Sequence, residues 1–295
     1  MPLPFRAGLV IMKESRRGMK QTPAPDEGRR NDMKLRMGIC RQMHEMPAAL
    51  TTDYDYLEPA VAAMMGMEDD AFRRARDLLL ASPLRAESAN CLLPGTAVLY
   101  GEKKDTEAVY EYVKRAFSRL AEIGCHLVVF GSGGARRVPD GMTRAAAEER
   151  FAEVVAGVAD LASPYGIRVA IEPLRASETN YLHTLAEGAA VARLTGRGNV
   201  GVTADLYHMA ASGEGMGALS AIGERLFHAH ISNPSDRSFP AREKAADFAE
   251  CRAFLLGLRA ANYRGCLTVE AVKGDVATET AISLRDLRAA LAEID

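Results

Sequence analysis

Residues 167–205 read IRVAIEPLRASETNYLHTLAEGAAVARLTGRGNVGVTAD. The apolar runs at 167–172 and 200–205 have the length and the valine and isoleucine content of buried parallel strands. Between them, Thr184-Leu185-Ala186-Glu187 is a capping box, which predicts the start of a helix. We therefore expect a strand–helix–strand unit here, in which each strand ends in a carboxylate.

The same alternation extends through most of the chain. Eight short apolar runs cover residues 35–40, 54–58, 87–93, 126–131, 167–172, 200–205, 227–231 and 266–272. Apolar positions recur at helical spacing in 106–123, 143–162 and 247–262, whereas residues 43–50 offer only about two turns. Because neither GxGxxG nor GxxxxGK[ST] is present, eight such units favour an α/β (β/α)8 TIM barrel over an open doubly wound sheet.

Length and composition support one large domain. The chain has 295 residues, of which 48% are hydrophobic and 26% charged, as expected for a sizeable core beneath a polar surface. Residues 33–295 are predicted to form the barrel. Residues 13–32 are polar and contain proline and arginine, and the apolar run before them, at 7–12, is short, so we expect residues 1–32 to be a disordered N-terminal extension.

The charge balance limits which partners the protein is expected to bind, and the cysteine content indicates its cellular compartment. Thirty-seven Lys and Arg face 39 Asp and Glu, a balance that argues against nucleic-acid binding. No apolar stretch approaches the roughly 20 residues that cross a bilayer, and the N-terminus does not resemble a signal peptide. Five scattered cysteines without a CxxC pair predict buried, reduced thiols. We expect a cytoplasmic protein without membrane contact, and a homo-oligomer is compatible with the sequence.

The last four predicted strands carry polar residues at their carboxyl ends, where the active sites of α/β barrels lie. These residues are Glu172, Asp205, His230 and Glu270. One such carboxylate is most simply a helix cap or a solvated loop residue, but four in successive units favour a shared divalent metal ion. The donor set suits Mn²⁺, Mg²⁺, Co²⁺ or Zn²⁺ alike. His230 is preferred to His228, which is expected deeper in the barrel as a structural residue.

Three segments carry a family resemblance: IEPLRASETNYLHT at 171–184, DLYHM at 205–209 and HAHI at 228–231. They resemble signatures of the sugar isomerase/epimerase superfamily, over about residues 34–292. This is the xylose-isomerase-like barrel group that includes ketose 3-epimerases, hydroxypyruvate isomerases, inosose dehydratases and endonuclease IV. The resemblance implies that Glu172, Asp205, His230 and Glu270 bind metal. It also implies that the two glutamates move protons on opposite faces of the substrate.

The resemblance further implies that His208, Glu178 and Arg237 contact the substrate. Solvated loop charge is the alternative for Glu178 and Arg237. Two departures leave the substrate open. The chain has no Trp, which many ketose-epimerase pockets use, and Ala210-Ala211-Ser212-Gly213-Glu214 stands where the family has an acidic pair.

A glycine-rich loop, Gly131-Ser132-Gly133-Gly134-Ala135-Arg136-Arg137, follows the fourth predicted strand. Glycines let a backbone approach a ligand closely, and amides with arginine can hold an anion. One hypothesis is that Arg136 or Arg137 binds a substrate phosphate or carboxylate; a flexible loop with solvated arginines is the alternative. For His44 and Glu58, at the ends of the first two strands, we favour a structural or supporting role.

The predicted function is that of a divalent-metal-dependent sugar isomerase or epimerase. It would act on a small ketose or related hydroxy-carbonyl sugar by proton transfer through a metal-bound enediolate. The main alternative is a metal-dependent lyase of the inosose dehydratase type. An abasic-site endonuclease and a catalytically silent sugar-binding protein are less favoured, because the chain has only six histidines and a near-neutral charge and keeps the four ligands.

Overall fold

The structure is a computed structural model that describes residues 35–45, 53–102 and 104–294. The expected extension at 1–32 lies outside the described residues and stays a prediction. The same holds for residues 46–50 of the weakest helical segment. Residues 43–45 of that segment form one 3₁₀ turn, Met43–Glu45.

Eight parallel strands form the sheet. They are β1 (Arg36–Cys40), β2 (Tyr56–Glu58), β3 (Ser88–Ala89), β4 (Leu127–Phe130), β5 (Arg168–Ile171), β6 (Val200–Asp205), β7 (Leu226–Ile231) and β8 (Cys266–Val269). Their order is β2-β1-β8-β7-β6-β5-β4-β3. Isolated parallel bridges at Leu57–Ala86 and Ala60–Asn90 join the two outer strands. The predicted barrel is therefore confirmed, with a nearly closed sheet.

Helices alternate with these strands. They are α1 (Val61–Met65), α2 (Asp69–Ala81), α3 (Thr106–Glu122), α4 (Arg144–Ala162), α5 (Leu185–Leu194), α6 (Leu206–Ala211), α7 (Gly217–Ile222), α8 (Ala245–Ala260) and α9 (Val276–Ile294). Two further 3₁₀ turns are Ser163–Tyr165 and Gly223–Arg225. The capping box is present, since the Thr184 side chain accepts from Glu187 N and the Glu187 carboxylate accepts from Thr184 N. Helices α3, α4 and α8 match the predicted helical segments to within two residues at each end.

The third strand is much shorter than predicted. The apolar pattern indicated residues 87–93, but only Ser88–Ala89 pair in the sheet. Cys91 adopts a positive φ of 50°, which ends the extended backbone. Leu93 N then donates to Ser132 Oγ at 3.0 Å instead of to a strand. Leu92 and Leu93 are therefore buried in a loop. A buried loop residue and a buried strand residue give the same apolar pattern in the sequence.

The barrel interior is unusually polar. Hydroxyls, a carboxylate and an imidazole from four strands meet across the axis; they belong to Tyr56, Glu58, Ser88, His228 and Thr268. Tyr56 OH reaches Thr268 Oγ1 at 2.6 Å over the intervening strand β1. Gly38 of β1 permits this, because a Cβ there would lie 2.1 Å from Tyr56 Cζ. Barrel cores are commonly filled by branched apolar residues. Buried polar groups in their place indicate a functional site at one end of the barrel.

The five cysteines form no disulfide. Cys125 and Cys251 are buried, as expected, and Cys40 and Cys266 are half-buried. Cys91 is exposed, so the prediction of buried thiols was wrong for it. Among the described residues, no helix is long and apolar enough to cross a membrane.

Candidate metal and substrate site

The four predicted ligands converge at the carboxyl ends of β5, β6, β7 and β8, which are neighbours in the sheet. Glu172, Asp205, His230 and Glu270 offer donor atoms that all lie within 4.8 Å of one another. His230 Nδ1 is 3.1 Å from Glu172 Oε1, 3.1 Å from Glu270 Oε2 and 3.8 Å from Asp205 Oδ2. Three carboxylates and one imidazole nitrogen therefore surround one point.

Glu58 sets the orientation of His230. It is fully buried at the end of β2, and its Oε1 lies 2.7 Å from His230 Nε2. Its Oε2 accepts from Ser88 Oγ and Thr268 Oγ1, each at 2.5 Å, and lies 2.8 Å from His228 Nε2. A carboxylate that binds the far nitrogen of a ligating imidazole is typical of metal sites, because it directs the other nitrogen to the ion.

The charge state of Glu58 suits this role. Burial alone raises the pKa of its carboxyl, but the neighbouring His230 and His228 outweigh burial and hold the pKa well below its usual range. An ionised Glu58 accepts from His230 Nε2 and leaves Nδ1 facing the other carboxylates. His228 lies deeper in the barrel, as predicted, and Glu58 has the supporting position that the sequence favoured.

Asp205 joins a helix to the site. Its Oδ1 accepts from Tyr207 N at 2.7 Å and from His208 N at 3.3 Å, and so caps α6. Its Oδ2 faces His230. Glu172 is positioned by a close backbone approach, because a Cβ on Gly131 would lie 2.4 Å from Glu172 Oε2. The glycine-rich loop thus leaves space for a ligand carboxylate.

Glu270 is held from two sides. Asn90 Nδ2 donates to its Oε1 at 2.9 Å, and Arg237 Nη2 donates to its Oε2 at 2.6 Å. Burial raises the pKa of Glu270, but His230 and Arg237 more than offset that effect and lower it. The sequence reasoning missed Asn90. Asn90 lies inside the predicted run at 87–93, and only the early end of β3 at Ala89 places it at a strand end like the carboxylates.

Arg237 reaches the site from the loop after β7. Its φ is +60°, a conformation that few residues other than glycine adopt. Two backbone hydrogen bonds hold this turn, from Arg237 N to Asn233 O and from Val272 N to Arg237 O, both at 2.9 Å. Burial lowers the pKa of Arg237, yet Glu270 and Asp205 raise it overall. The guanidinium is therefore a permanent positive charge beside the carboxylates, and its contact with a substrate stays a prediction.

The other implied substrate contacts lie around the same mouth. His208 is buried, with Nε2 3.9 Å from Asp205 Oδ2 and Nδ1 accepting from Arg175 N at 3.3 Å. Half-buried Glu178 accepts from Arg175 Nε at 2.8 Å and lies 3.7 Å from Arg237 Nη1. Arg175 and Arg237 both lie over the Tyr207 ring, at 4.7 and 5.0 Å from its centre. The sequence reasoning did not select Arg175 or Tyr207.

The structure separates the two loop arginines. Arg137 is exposed, whereas Arg136 is fully buried, with its guanidinium 5.9 Å from the Phe151 ring centre. Its three guanidinium nitrogens have no hydrogen-bond partner within the described part of the chain. Burial lowers the pKa of Arg136 to about 10, so it stays charged at neutral pH. A solvated loop is thus wrong for Arg136, and its proposed anion contact stays a prediction. His44 is exposed.

Comparisons with known proteins agree with the barrel fold. The xylose isomerase-like TIM barrel family matches residues 47–290. A D-psicose 3-epimerase of Agrobacterium fabrum is 30% identical over 166 residues, 54% of each chain. An L-ribulose 3-epimerase of a Methylomonas species is 28% identical over 235 residues, 77% of each. The chain thus spans about half the length of the first relative and three quarters of the second.

Among solved structures, a D-psicose 3-epimerase crystallised in the presence of D-fructose superimposes with a TM-score of 0.71 at 22% identity. The superposition covers 88% of this chain and 98% of that protein. The shared fold therefore extends over almost the whole of that structure.

Proposed function

Because the chain belongs to the xylose isomerase-like TIM barrel family, we propose that it is a divalent-metal-dependent epimerase of a ketose or a related hydroxy-carbonyl sugar. One observation carries the proposal: Glu172 and Glu270 each lie 3.1 Å from His230 Nδ1, and they come from β5 and β8, the outer two of the four strands that supply the candidate ligands. The two 3-epimerases among its relatives support the choice of reaction.

The donor set fits a divalent ion. Glu172, Asp205 and Glu270 would supply carboxylate oxygens, and His230 would supply Nδ1, which Glu58 turns towards them. This combination suits Mn²⁺, Mg²⁺, Co²⁺ or Zn²⁺. A divalent ion bound there would supply the positive charge that stabilises an enolate oxygen.

The side chains around the candidate metal site would transfer the protons and hold the substrate. Glu270, paired with the Arg237 guanidinium, would take the proton from the carbon next to the substrate carbonyl. Glu172 would return a proton from the opposite face, which inverts that carbon. Arg237 and His208 lie where they can hold substrate oxygens during the transfer. Return of the proton to the neighbouring carbon instead would give an isomer.

Incubation with a panel of ketoses in deuterated water tests the proposal. With Mn²⁺, Mg²⁺ or Co²⁺ present, we expect an epimeric product that carries deuterium at the inverted carbon, detected by NMR. A product without deuterium contradicts proton exchange with solvent, and a product lighter by one water identifies a lyase.

Variants E172Q and E270Q remove the proposed proton-transfer groups and keep nearly the same side-chain shape. We expect turnover to fall at least about a hundredfold in both, since general acid–base groups contribute roughly that much or more. Metal binding is measured separately for each variant by titration. Glu122→Gln, on the exposed outer surface of α3, is the control and should keep full activity.

A further inference from the structure

Four buried polar side chains in the loops after β3, β4 and β5 have no hydrogen-bond partner among the described residues. Their unpartnered atoms are the hydroxyls of Tyr100, Thr179 and Tyr181 and all three guanidinium nitrogens of Arg136. Each of these four residues is at most 3% exposed. Buried polar groups are almost always hydrogen-bonded, and the proposed proton transfer uses none of these atoms. The four side chains therefore indicate a ligand that accepts hydrogen bonds.

Hydrogen bonds hold these three loops against one another around Arg136. Leu99 N, in the loop after β3, donates to Ala135 O at 3.2 Å. From the loop after β5, the Asn180 side chain accepts from Val138 N and donates to Val138 O, both at 2.8 Å. Arg136 lies between Ala135 and Val138, and the three other members of the cluster are sequence neighbours of Leu99 and Asn180. These contacts bring together the segments that carry the four side chains.

Arg136 supplies a positive charge that no bonded group balances. Its guanidinium is closed off from solvent, and no carboxylate of the described residues is within hydrogen-bonding distance of it. It lies over the Phe151 ring, 5.9 Å from the ring centre, but an aromatic face accepts no ordinary hydrogen bond. Burial lowers the pKa of Arg136, and Glu172 raises it again only from beyond hydrogen-bonding distance. A buried charge is strongly unfavourable unless a bonded group of opposite charge balances it.

Tyr100 and Tyr181 add neutral donors beside this charge. Burial raises the pKa of each phenol by more than the nearby Arg136 lowers it, so both keep their O–H at neutral pH. A guanidinium has five N–H donors and no acceptor. Together these groups match an anion of single charge that accepts hydrogen bonds from several directions.

We propose that Arg136, Tyr100 and Tyr181 bind one chloride ion between the loops after β3, β4 and β5. Chloride balances the single charge of the guanidinium, and a monatomic ion needs no further polar partner of its own. Sulfate or a phosphate dianion would exceed that charge and bring additional oxygens that need donors. A water molecule would satisfy the hydroxyls but leave the charge unbalanced. The ion would fasten the loop that carries Gly131 to the loop that carries Glu178, next to the candidate metal site.

Differential scanning calorimetry of the full-length, chelator-treated protein tests the proposal. Sodium chloride replaces sodium gluconate stepwise at neutral pH and constant ionic strength. We expect full replacement to raise Tm by at least about 2 °C, because the ion binds only the folded state. A Tm that is the same in gluconate and in chloride would overturn the site.

Three variants locate the ion. R136M removes the guanidinium and should abolish the rise in Tm, without loss of stability in gluconate, because the buried charge is removed as well. R137M changes the exposed arginine next in the chain and should respond to chloride as the unaltered protein does. Y181F lacks one donor and should need about tenfold more chloride for the same rise in Tm. Because Y181F keeps the shape of the site, it tests the cluster even if R136M does not fold.

The opposite results in these variants would overturn the proposal. A chloride response that persists in R136M, or that is unchanged in Y181F, excludes this cluster as the binding site. Loss of the response in R237Q but not in R136M would mean that chloride binds in the candidate active site instead. None of these measurements requires turnover, so their failure is distinguishable from failure of the proposed epimerase activity.

Discussion

Four side chains bond to the Glu58 carboxylate at once: those of Ser88, His228, His230 and Thr268. An amide at this position has one oxygen, and its NH₂ group would face donors. We expect Glu58→Gln to lower the free energy of unfolding by about 3–5 kcal/mol, as for other broken buried ion pairs. Metal affinity should fall about 10–100-fold, because His230 loses its orienting partner.

Urea unfolding and a metal titration measure the two effects of Glu58→Gln. The matched control is Glu68→Gln, an exposed glutamate whose side chain makes no capping hydrogen bond. If Glu58→Gln keeps both the stability and the metal affinity of the unaltered protein, Glu58 does not support His230.

Gly131 tests how closely the loop fits Glu172. A methyl group at this position would lie 2.4 Å from Glu172 Oε2, so Gly131→Ala must displace that carboxylate. We expect at least about tenfold weaker metal binding, the effect of losing one well-placed ligand contact. Gly134→Ala in the same loop is the control, since its methyl group would meet only Gly95 O, at 3.8 Å. Equal metal affinities in the two variants would refute the close fit.

Among the secondary-structure elements, α5 offers a test of its N-terminal capping box. Thr184 and Glu187 satisfy each other's backbone donors, and the helix follows the loop that carries Arg175 and Glu178. Thr184→Ala should reduce stability in urea unfolding by about 0.5–2 kcal/mol, the usual cost of a lost cap. Thr184→Ser keeps the hydroxyl and should recover most of it. A Thr184→Ala protein as stable as Thr184→Ser would show that the capping hydroxyl contributes little.

Strand ends carry most of the candidate site. Asp205 ends β6, while Glu172 and Glu270 lie one residue beyond β5 and β8. Parallel strands in register bring such positions to one level, because each strand starts at the same end of the barrel. This is why apolar runs followed by a carboxylate were sufficient to predict that these residues converge. The runs could not show that β3 has only two residues, since Leu92 and Leu93 are equally buried in a loop.

For the whole molecule, a bound metal ion should act as a link between strands. Its four candidate ligands come from β5, β6, β7 and β8, and ligand binding to the folded state alone stabilises that state. Addition of Mn²⁺ to chelator-treated protein should stabilise it by about 2.7 kcal/mol at a hundred times the dissociation constant. Differential scanning calorimetry measures this as a rise in Tm.

Asp205→Asn is the comparison variant, because it removes one ligand charge while an oxygen remains to cap α6. We expect it to show a smaller rise in Tm with Mn²⁺. A Tm that does not respond to any of the four candidate ions in the unaltered protein argues against the metal site.

Local patterns in the chain were enough to predict the eight-unit barrel, the main helices and the four converging residues Glu172, Asp205, His230 and Glu270. The strands, the helices and the strand-end residues are each indicated by a sequence pattern that spans only a few neighbouring positions. The partners of those residues could not be predicted in the same way. Glu58 and His230 are 172 positions apart, and Asn90 and Glu270 are 180 apart. Such pairs, like the burial of Arg136, arise only when the closed barrel brings distant strands together, because hydrogen bonds and burial depend on distance in space.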